Sequence, residues 1–157
     1  MNKIKETQKS YRPNRIKVLF IGESPPTNGS YFYYGGNRLL REMRRALVET
    51  KVDDKAFLAG FKQRGWYLDD LVQTPIKGPE LKKKCREARN NLASRIREYR
   101  PSIVVCLLRR IREDVEAATL MAESDARVYS VSFPARYPQR FQDEMKLLLP
   151  RLERLRA

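Results

Sequence analysis

The chain contains no histidine. This absence excludes the commonest general base, the histidine-dependent catalytic triads and every metal site that requires an imidazole ligand. Two cysteines, Cys85 and Cys106, are too few and too far apart for a zinc ribbon or an iron–sulfur cluster, and a reducing cytosol would keep both as thiols. We therefore expect no metal and no cofactor, and a chemistry that uses carboxylates, amides, hydroxyls or the backbone.

Long apolar segments and acidic residues are also scarce. No run reaches the roughly 18 apolar residues of a membrane span, and residues 1–17 lack the apolar region of a signal peptide. We therefore expect a cytoplasmic protein without a membrane partner. The 19 acidic residues are outnumbered by 33 lysines and arginines, which gives a net charge of +14. Such an excess is typical of proteins that bind a polyanion, so DNA or another nucleic acid is the first expected partner.

The 157 residues suffice for one domain, and we expect a monomer. Residues 1–15 are basic and lack apolar periodicity, which predicts a mobile arm before a single domain over 16–157. Apolar segments then alternate with amphipathic ones, predicting strands at 16–21, 66–72, 103–108 and 127–133 and helices at 37–48, 54–63, 80–99, 112–121 and 141–155, the last kinked at Pro150. This alternation predicts a three-layer α/β/α sandwich with a short, mainly parallel four-stranded sheet and a ligand site at the carboxyl ends of the strands.

The loops after these strands carry the most unusual residues. The first strand ends in Gly22-Glu23-Ser24-Pro25-Pro26, and an aromatic and glycine stretch leads to a helix at Leu39-Leu40. The second strand continues into Leu68-Asp69-Asp70-Leu71-Val72-Gln73-Thr74-Pro75, and the last ends in Ser132-Phe133-Pro134-Ala135-Arg136. In order and spacing, these motifs resemble the uracil-DNA glycosylase superfamily over roughly residues 16–150. The resemblance implies that fold and the hydrolysis of the N-glycosidic bond of a flipped base during DNA repair.

Glu23 is the candidate catalytic residue, because the resemblance places it where relatives with Gly-Glu-x-Pro position the hydrolytic water. A carboxylate suits this task, since it accepts a proton from water and opposes the positive charge that develops on the sugar. The alternative is that Glu23 is a solvated loop acid or forms an ion pair with a neighbouring arginine.

The resemblance also assigns residues to the base. Tyr33 or Tyr34 would stack against it, although at least two of the four aromatic residues over 31–34 are expected to be core. Many relatives read uracil with an asparagine amide, where this chain offers Asp69 or Asp70. An ionised aspartate only accepts hydrogen bonds, which favours a base that presents donors unless burial protonates the acid. The alternative is that one acid caps a turn and the other pairs with a basic side chain.

The last motif departs from the family. Phe133 is an expected base-binding residue, but it replaces the histidine or asparagine that stabilises the departing base in relatives. Ala135 replaces a serine that contacts phosphate. Loss of one such donor typically costs about 10²- to 10³-fold in rate. Ser24, Arg136 and Arg140 are the expected DNA contacts, with general attraction of the arginines to the backbone as the alternative.

Three functions therefore remain open. The first is a DNA glycosylase for a modified or deaminated base, and the second is a catalytically weak or inactive nucleic-acid-binding member of the same fold. The third, a hydrolase of free nucleosides or nucleotides, fits a pocket but does not account for the charge of +14. The sequence leaves the identity of the base and the strandedness of the nucleic acid open.

Overall fold

The protein is built on one parallel β-sheet. The computed structural model describes residues 3–155, in which the sheet has the order β2-β1-β3-β4. Val18 lies opposite Trp66 in one neighbouring strand and opposite Ile103 in the other, and all three strand pairs are parallel. The predicted four-stranded parallel sheet is therefore confirmed. Its strands are β1 Val18–Gly22, β2 Trp66–Asp70, β3 Ile103–Cys106 and β4 Arg127–Ser130.

Seven α-helices occur within residues 3–155: α1 Lys3–Ser10, α2 Arg38–Ala46, α3 Asp54–Gln63, α4 Leu81–Glu87, α5 Arg89–Tyr99, α6 Arg112–Met121 and α7 Pro138–Glu153. None of them is long and apolar enough to cross a membrane. Where the sequence predicts one helix over 80–99, the structure has α4 and α5, because ψ of Ala88 is −6° and departs from the α-helical value of about −42°. Helix α7 continues through Pro150.

The sheet order explains how the helices form two outer layers. The chain moves from β1 to β2 in one direction across the sheet, and from β3 to β4 in the other. Because crossover connections between parallel strands are right-handed, these two movements place α2 and α3 on one face and α6 on the other. The observed packing of α5 against α6 and of α2 against α7 agrees with this division. The strand order reverses between β1 and β3, and ligands of such sheets bind at this point.

The core lies on both faces of the sheet. Strands β1 and β3 are almost continuously apolar, as expected for parallel strands covered by helices on both sides. Phe20 packs against Phe61 and Trp66, with ring centroids 5.5 Å apart in each pair. Cys85 and Cys106 are buried and free, and burial raises the pKa of the Cys106 thiol to about 12. Cys106 is therefore a core residue rather than a reactive one.

The N-terminal segment differs from the mobile arm that its composition predicts, because residues 3–10 form helix α1. Gln8 Nε2 donates to Leu68 O and to Asp69 Oδ1, each at 3.1 Å. The Tyr11 ring stacks on Tyr33 with a centroid distance of 5.4 Å. No residue of α1 is buried, so the helix docks through polar and aromatic contacts that leave no hydrophobic pattern in the sequence.

A buried arginine joins α5 to the end of β2. Arg95 is 8% exposed, and its Nη1 donates to Asp69 Oδ2 at 2.9 Å and to Asp70 O at 2.8 Å. Its Nη2 donates to Leu71 O at 2.9 Å. One guanidinium thus neutralises a buried carboxylate and satisfies two carbonyl groups where β2 ends.

Replacing Arg95 should therefore be costly. Arg95→Ala leaves the Asp69 carboxylate buried without its cation, and we expect a loss of about 3–5 kcal/mol in the free energy of unfolding, measured by urea denaturation. Arg97→Ala is the matched control on the same helix, since its guanidinium bonds only at the surface, to Met121 O, and its loss should cost less than about 1 kcal/mol. Equal losses for the two variants would contradict this account of Arg95.

Candidate functional site

A cavity of about 390 Å³ lies at the carboxyl ends of the strands. It includes the point between β1 and β3 where the strand order reverses. The loops that follow all four strands contribute to its wall, and helix α1 adds Gln8. The candidate residues in this wall are Glu23, Ser24, Tyr33, Tyr34, Asp69, Asp70 and Phe133.

Glu23 follows β1 and is tied to the loop after β3. Its carboxylate accepts a bidentate pair of hydrogen bonds from Arg110, with Arg110 Nε to Glu23 Oε2 at 2.8 Å and the second from Nη2 to Oε1. The Glu23 side chain is 14% exposed and that of Arg110 is 68% exposed. Hydrogen bonding to Glu23 raises the pKa of Arg110. The acid thus lines the cavity and also forms the arginine ion pair that the sequence left as its alternative.

The backbone holds Glu23 in place. Leu71 N donates to Gly22 O at 2.8 Å, and Val72 N donates to Glu23 O at 2.9 Å. These bonds continue the pairing of β1 with β2 beyond the last strand residues, so the two loops leave the sheet together. Glu23 therefore reaches the cavity from a backbone that is hydrogen-bonded on both sides of its α-carbon.

The two aspartates at the end of β2 have different surroundings. Asp69 is 3% exposed and engaged by protein groups: Arg95 at 2.9 Å, Gln8 at 3.1 Å and the Asp70 backbone N–H at 2.8 Å. The Asp70 carboxyl has no hydrogen-bond donor or cation as a partner among residues 3–155. Asp69 is thus the acid that pairs with a basic side chain. The carboxyl of Asp70 remains available to a ligand in the cavity.

Asp70 lies directly over a glycine. A β-carbon added to Gly22 would come within 2.6 Å of Asp70 Oδ1, so the absence of a side chain at Gly22 makes room for the carboxyl. Burial, followed by the nearby charge of Asp69, raises the pKa of Asp70 to about 8, and Arg95 opposes this shift. Asp70 is then mostly a neutral carboxylic acid at pH 7, with one donor and one acceptor.

The aromatic segment divides into core and cavity residues. Phe32 and Tyr33 are buried, which agrees with the expectation that at least two of the four aromatic residues are core. Tyr33 Oη accepts a hydrogen bond from Leu68 N at 2.7 Å, and burial raises its pKa well above the usual value. Tyr34 is 44% exposed and is the ring that remains free to meet a ligand. Asn37 caps α2, accepting from Leu40 N at 3.2 Å.

The loop after β4 separates its expected functional residues. Phe133 lines the cavity and is 42% exposed, and Pro134 and Ala135 line it as well. Arg136 and Arg140 lie outside the lining, with their guanidinium carbons 5.7 and 4.9 Å from the centre of the Tyr137 ring. Ser24 lines the cavity, but its hydroxyl donates to Ile76 O at 3.3 Å.

Three residues of the site were missed by sequence reasoning: Gln8, Arg95 and Arg110. Arg95 did leave a signal, since it occupies the apolar side of α5 between Leu92 and Ile96, where a charge requires a buried partner. Gln8 and Arg110 had no comparable signal, because their partners come from distant parts of the chain. Within residues 3–155, no group of three or more Cys, Asp or Glu residues could hold a metal ion.

Together, the fold and the position of the site define a parallel α/β sandwich with its ligand cavity at the strand ends. The model of the uracil DNA glycosylase superfamily matches residues 8–152. The chain therefore belongs to this superfamily, and the resemblance of its loop motifs is confirmed at the level of the family. A search of curated proteins finds no match.

The raised pKa of Asp70 predicts a pH-dependent stability. Because the folded protein holds this proton more tightly than the unfolded chain does, the contribution is complete below about pH 4 and is lost as pH rises toward 8. The stability of the parent relative to Asp70→Asn should thus fall by at most about 1.4 kcal/mol per pH unit in this range, measured by urea denaturation.

Asp143→Asn is the control for this measurement, because Asp143 lies exposed on α7 and carries the same chemical change. Its stability should follow the pH curve of the parent. A difference between the parent and Asp70→Asn that did not vary with pH would contradict a proton held by Asp70.

Proposed function

We propose that the protein is a DNA glycosylase that hydrolyses the N-glycosidic bond of a deaminated or otherwise modified base flipped into the cavity. The observation that carries this proposal is that Glu23, Tyr34, Asp70 and Phe133 line one cavity in a chain that belongs to the superfamily. A base cannot react inside a stacked duplex, so it must enter such a pocket to reach the carboxylates.

In this proposal, Glu23 activates the water that attacks the sugar. In the proposed step, a water oxygen attacks C1′ of the sugar while the bond from C1′ to the base nitrogen breaks. The Glu23 carboxylate accepts the water proton and opposes the cationic character of the sugar. The bidentate contact from Arg110 fixes the orientation of this carboxylate, and each oxygen keeps a lone pair for water.

In this proposal, the Tyr34 ring stacks on the face of the base. Its half-exposed ring in the cavity wall is supported edge-on by Tyr31, with a centroid distance of 5.4 Å. Stacking of a base on such a ring is worth about 1–3 kcal/mol. Stacking of this kind favours an extruded purine as well as an extruded pyrimidine. The choice among bases therefore depends on the polar groups of the pocket.

In this proposal, the exposed lysines and arginines near the cavity bind the DNA backbone. Lys5, Arg38 and Arg110 line the cavity and are exposed, so cationic groups surround the place where a nucleotide would enter. Arg136 and Arg140 add two more beside Tyr137. A free nucleoside would need none of these charges, which favours DNA over the free nucleoside as substrate.

A second candidate function is a binding protein with little or no catalysis. Two observations favour it: Phe133 supplies no donor to a departing base, and Arg110 already occupies the Glu23 carboxylate. In such a protein the cavity would hold a base without releasing it.

Glu23→Gln separates the two functions. It keeps the size of the side chain but removes the charge, so release of the base from a lesion-containing oligonucleotide should fall at least about 10²-fold, while DNA affinity changes only a few-fold. Glu113→Gln, at an exposed acid on α6, is the matched control and should release base at the parental rate. Undiminished release by Glu23→Gln would refute the catalytic assignment, and no release by the parent from any lesion would favour the binding protein.

DNA binding itself should depend steeply on salt, because neutralised phosphates release counterions. Arg136→Ala should weaken binding and lower the slope of log K against log salt by about one, as measured by fluorescence anisotropy. Arg97→Ala, on helix α5 where the guanidinium donates to Met121 O, should leave the slope unchanged. An affinity that stays flat from low to physiological salt would exclude DNA as the partner.

A further inference from the structure

The departing base requires a donor that the side chain at position 133 does not supply. When the glycosidic bond breaks, the electron pair stays on the base, and the negative charge requires a hydrogen-bond donor or a proton. Phe133 provides neither. Three other polar side chains in the wall already donate to protein oxygens: Gln8 to Leu68 O and Asp69 Oδ1, Ser24 to Ile76 O and Asn37 to Ser30 O.

Arg110 also lines the wall, but its guanidinium is engaged by Glu23. If the Arg110 guanidinium turned toward the base, the Glu23 carboxylate would lose the hydrogen bonds that orient it toward water. Lys5 and Arg38 also line the wall, but both are exposed to solvent. The Asp70 carboxyl, by contrast, ends β2 in the same wall as Phe133 and has no donor or cation as a partner among residues 3–155.

The surroundings of Asp70 favour the neutral acid. Its neighbour Asp69 carries the charge that Arg95 neutralises, so a second negative charge beside it is opposed. Tyr33, packed against β2, is itself buried and uncharged, and its pKa is raised partly by the two aspartates. Glu23, next to Gly22 on the adjoining strand, is matched by its own arginine. Within residues 3–155, no lysine or arginine forms an ion pair with the Asp70 carboxyl.

We propose that Asp70 is the general acid of this site and takes the place of the histidine or asparagine that Phe133 has displaced. This proposal rests on the proposed glycosylase function and deepens it. The Asp70 O–H donates to a carbonyl oxygen or ring nitrogen of the base and transfers its proton as the bond from C1′ to the base nitrogen breaks. Water forms the new bond to C1′ and gives its proton to Glu23, and exchange with solvent then returns a proton to Asp70 and removes one from Glu23.

The same group selects the class of base. A neutral carboxyl presents a donor and an acceptor side by side, which complements the C=O and N–H edge of uracil or hypoxanthine. An ionised carboxylate would instead favour the exocyclic amine of cytosine or adenine. The protonated form therefore selects keto bases, and raising the pH should weaken that selection.

The activity test follows base release from single-turnover digests of oligonucleotides that carry deoxyuridine or deoxyinosine, from pH 6 to 9.5. With the Asp70 pKa at about 8, the rate of the parent should fall about 30-fold between pH 7 and 9.5. Asp70→Asn keeps a donor that does not titrate, so its rate should vary less than about threefold over this range. Asp70→Ala should be slow at every pH. Equal alkaline profiles for the parent and Asp70→Asn would overturn the proposal and leave the glycosylase function standing.

A binding test does not depend on catalysis. The probe is an oligonucleotide with 2′-fluoroarabinouridine, in which the fluorine suppresses the cationic transition state and prevents cleavage. The affinity of the parent for this probe, relative to unmodified DNA, should fall about 30-fold between pH 7 and 9.5, and that of Asp70→Asn should stay constant. This pattern without base release would keep Asp70 as the reader of the base but refute its role as acid together with the glycosylase function. A preference for the probe that does not change with pH in the parent, or no preference for the probe at any pH, would overturn the assignment of Asp70.

Discussion

The Arg95 guanidinium joins helix α5 to the end of strand β2, and the arrangement of the site depends on the three hydrogen bonds that it donates to this strand end. It binds the Asp69 carboxylate and the backbone oxygens of Asp70 and Leu71. A buried ion pair of this kind contributes little net stability, because desolvation offsets most of the attraction. Its effect is on geometry: it fixes the point where β2 ends, and it assigns one of two adjacent acids to the protein and the other to the cavity.

The two carboxyls of the cavity are consequently held in different environments. Glu23 is matched by an exposed arginine across the point where the strand order reverses, whereas Asp70 is desolvated and faces a like charge. In sites that use two carboxyls for acid and base chemistry, the different environments of the two groups set their roles. The chain has no histidine, and the fold gives the two carboxyls different surroundings by burying Asp70 and by pairing Glu23 with Arg110.

This arrangement has a cost in stability. A desolvated acid without a partner, a half-exposed Phe133 and a glycine kept open beneath Asp70 each depart from the packing of the surrounding core. The apolar strands β1 and β3 and the aromatic cluster around Phe61 offset this cost, because they bury their side chains almost completely. Features that a fold tolerates at such a cost are concentrated where function requires them.

Much of the fold was predictable from the sequence, because alternating apolar and amphipathic segments are local patterns. The bounds of α3 agree with the prediction. Those of β1 differ by one or two residues, because a continuous apolar segment that ends at Gly22 has few interpretations other than a buried strand. The division of residues 80–99 at Ala88 was not predictable, because the sequence on both sides of Ala88 favours a helix. Helix α1 was not predicted, because it docks through polar and aromatic contacts that leave no hydrophobic pattern in the sequence.

For the site, the sequence determined which residue types are present and that the loops after the strands carry them. It did not distinguish Asp69 from Asp70, since two adjacent acids at the end of a strand are equivalent until a cation is placed beside one of them. That cation, Arg95, comes from 25 or 26 positions further along the chain, and the partner of Glu23 comes from 87 positions away. Proton affinity depends on burial and on charges within a few ångströms, and these are set by chain segments that only the tertiary structure brings together.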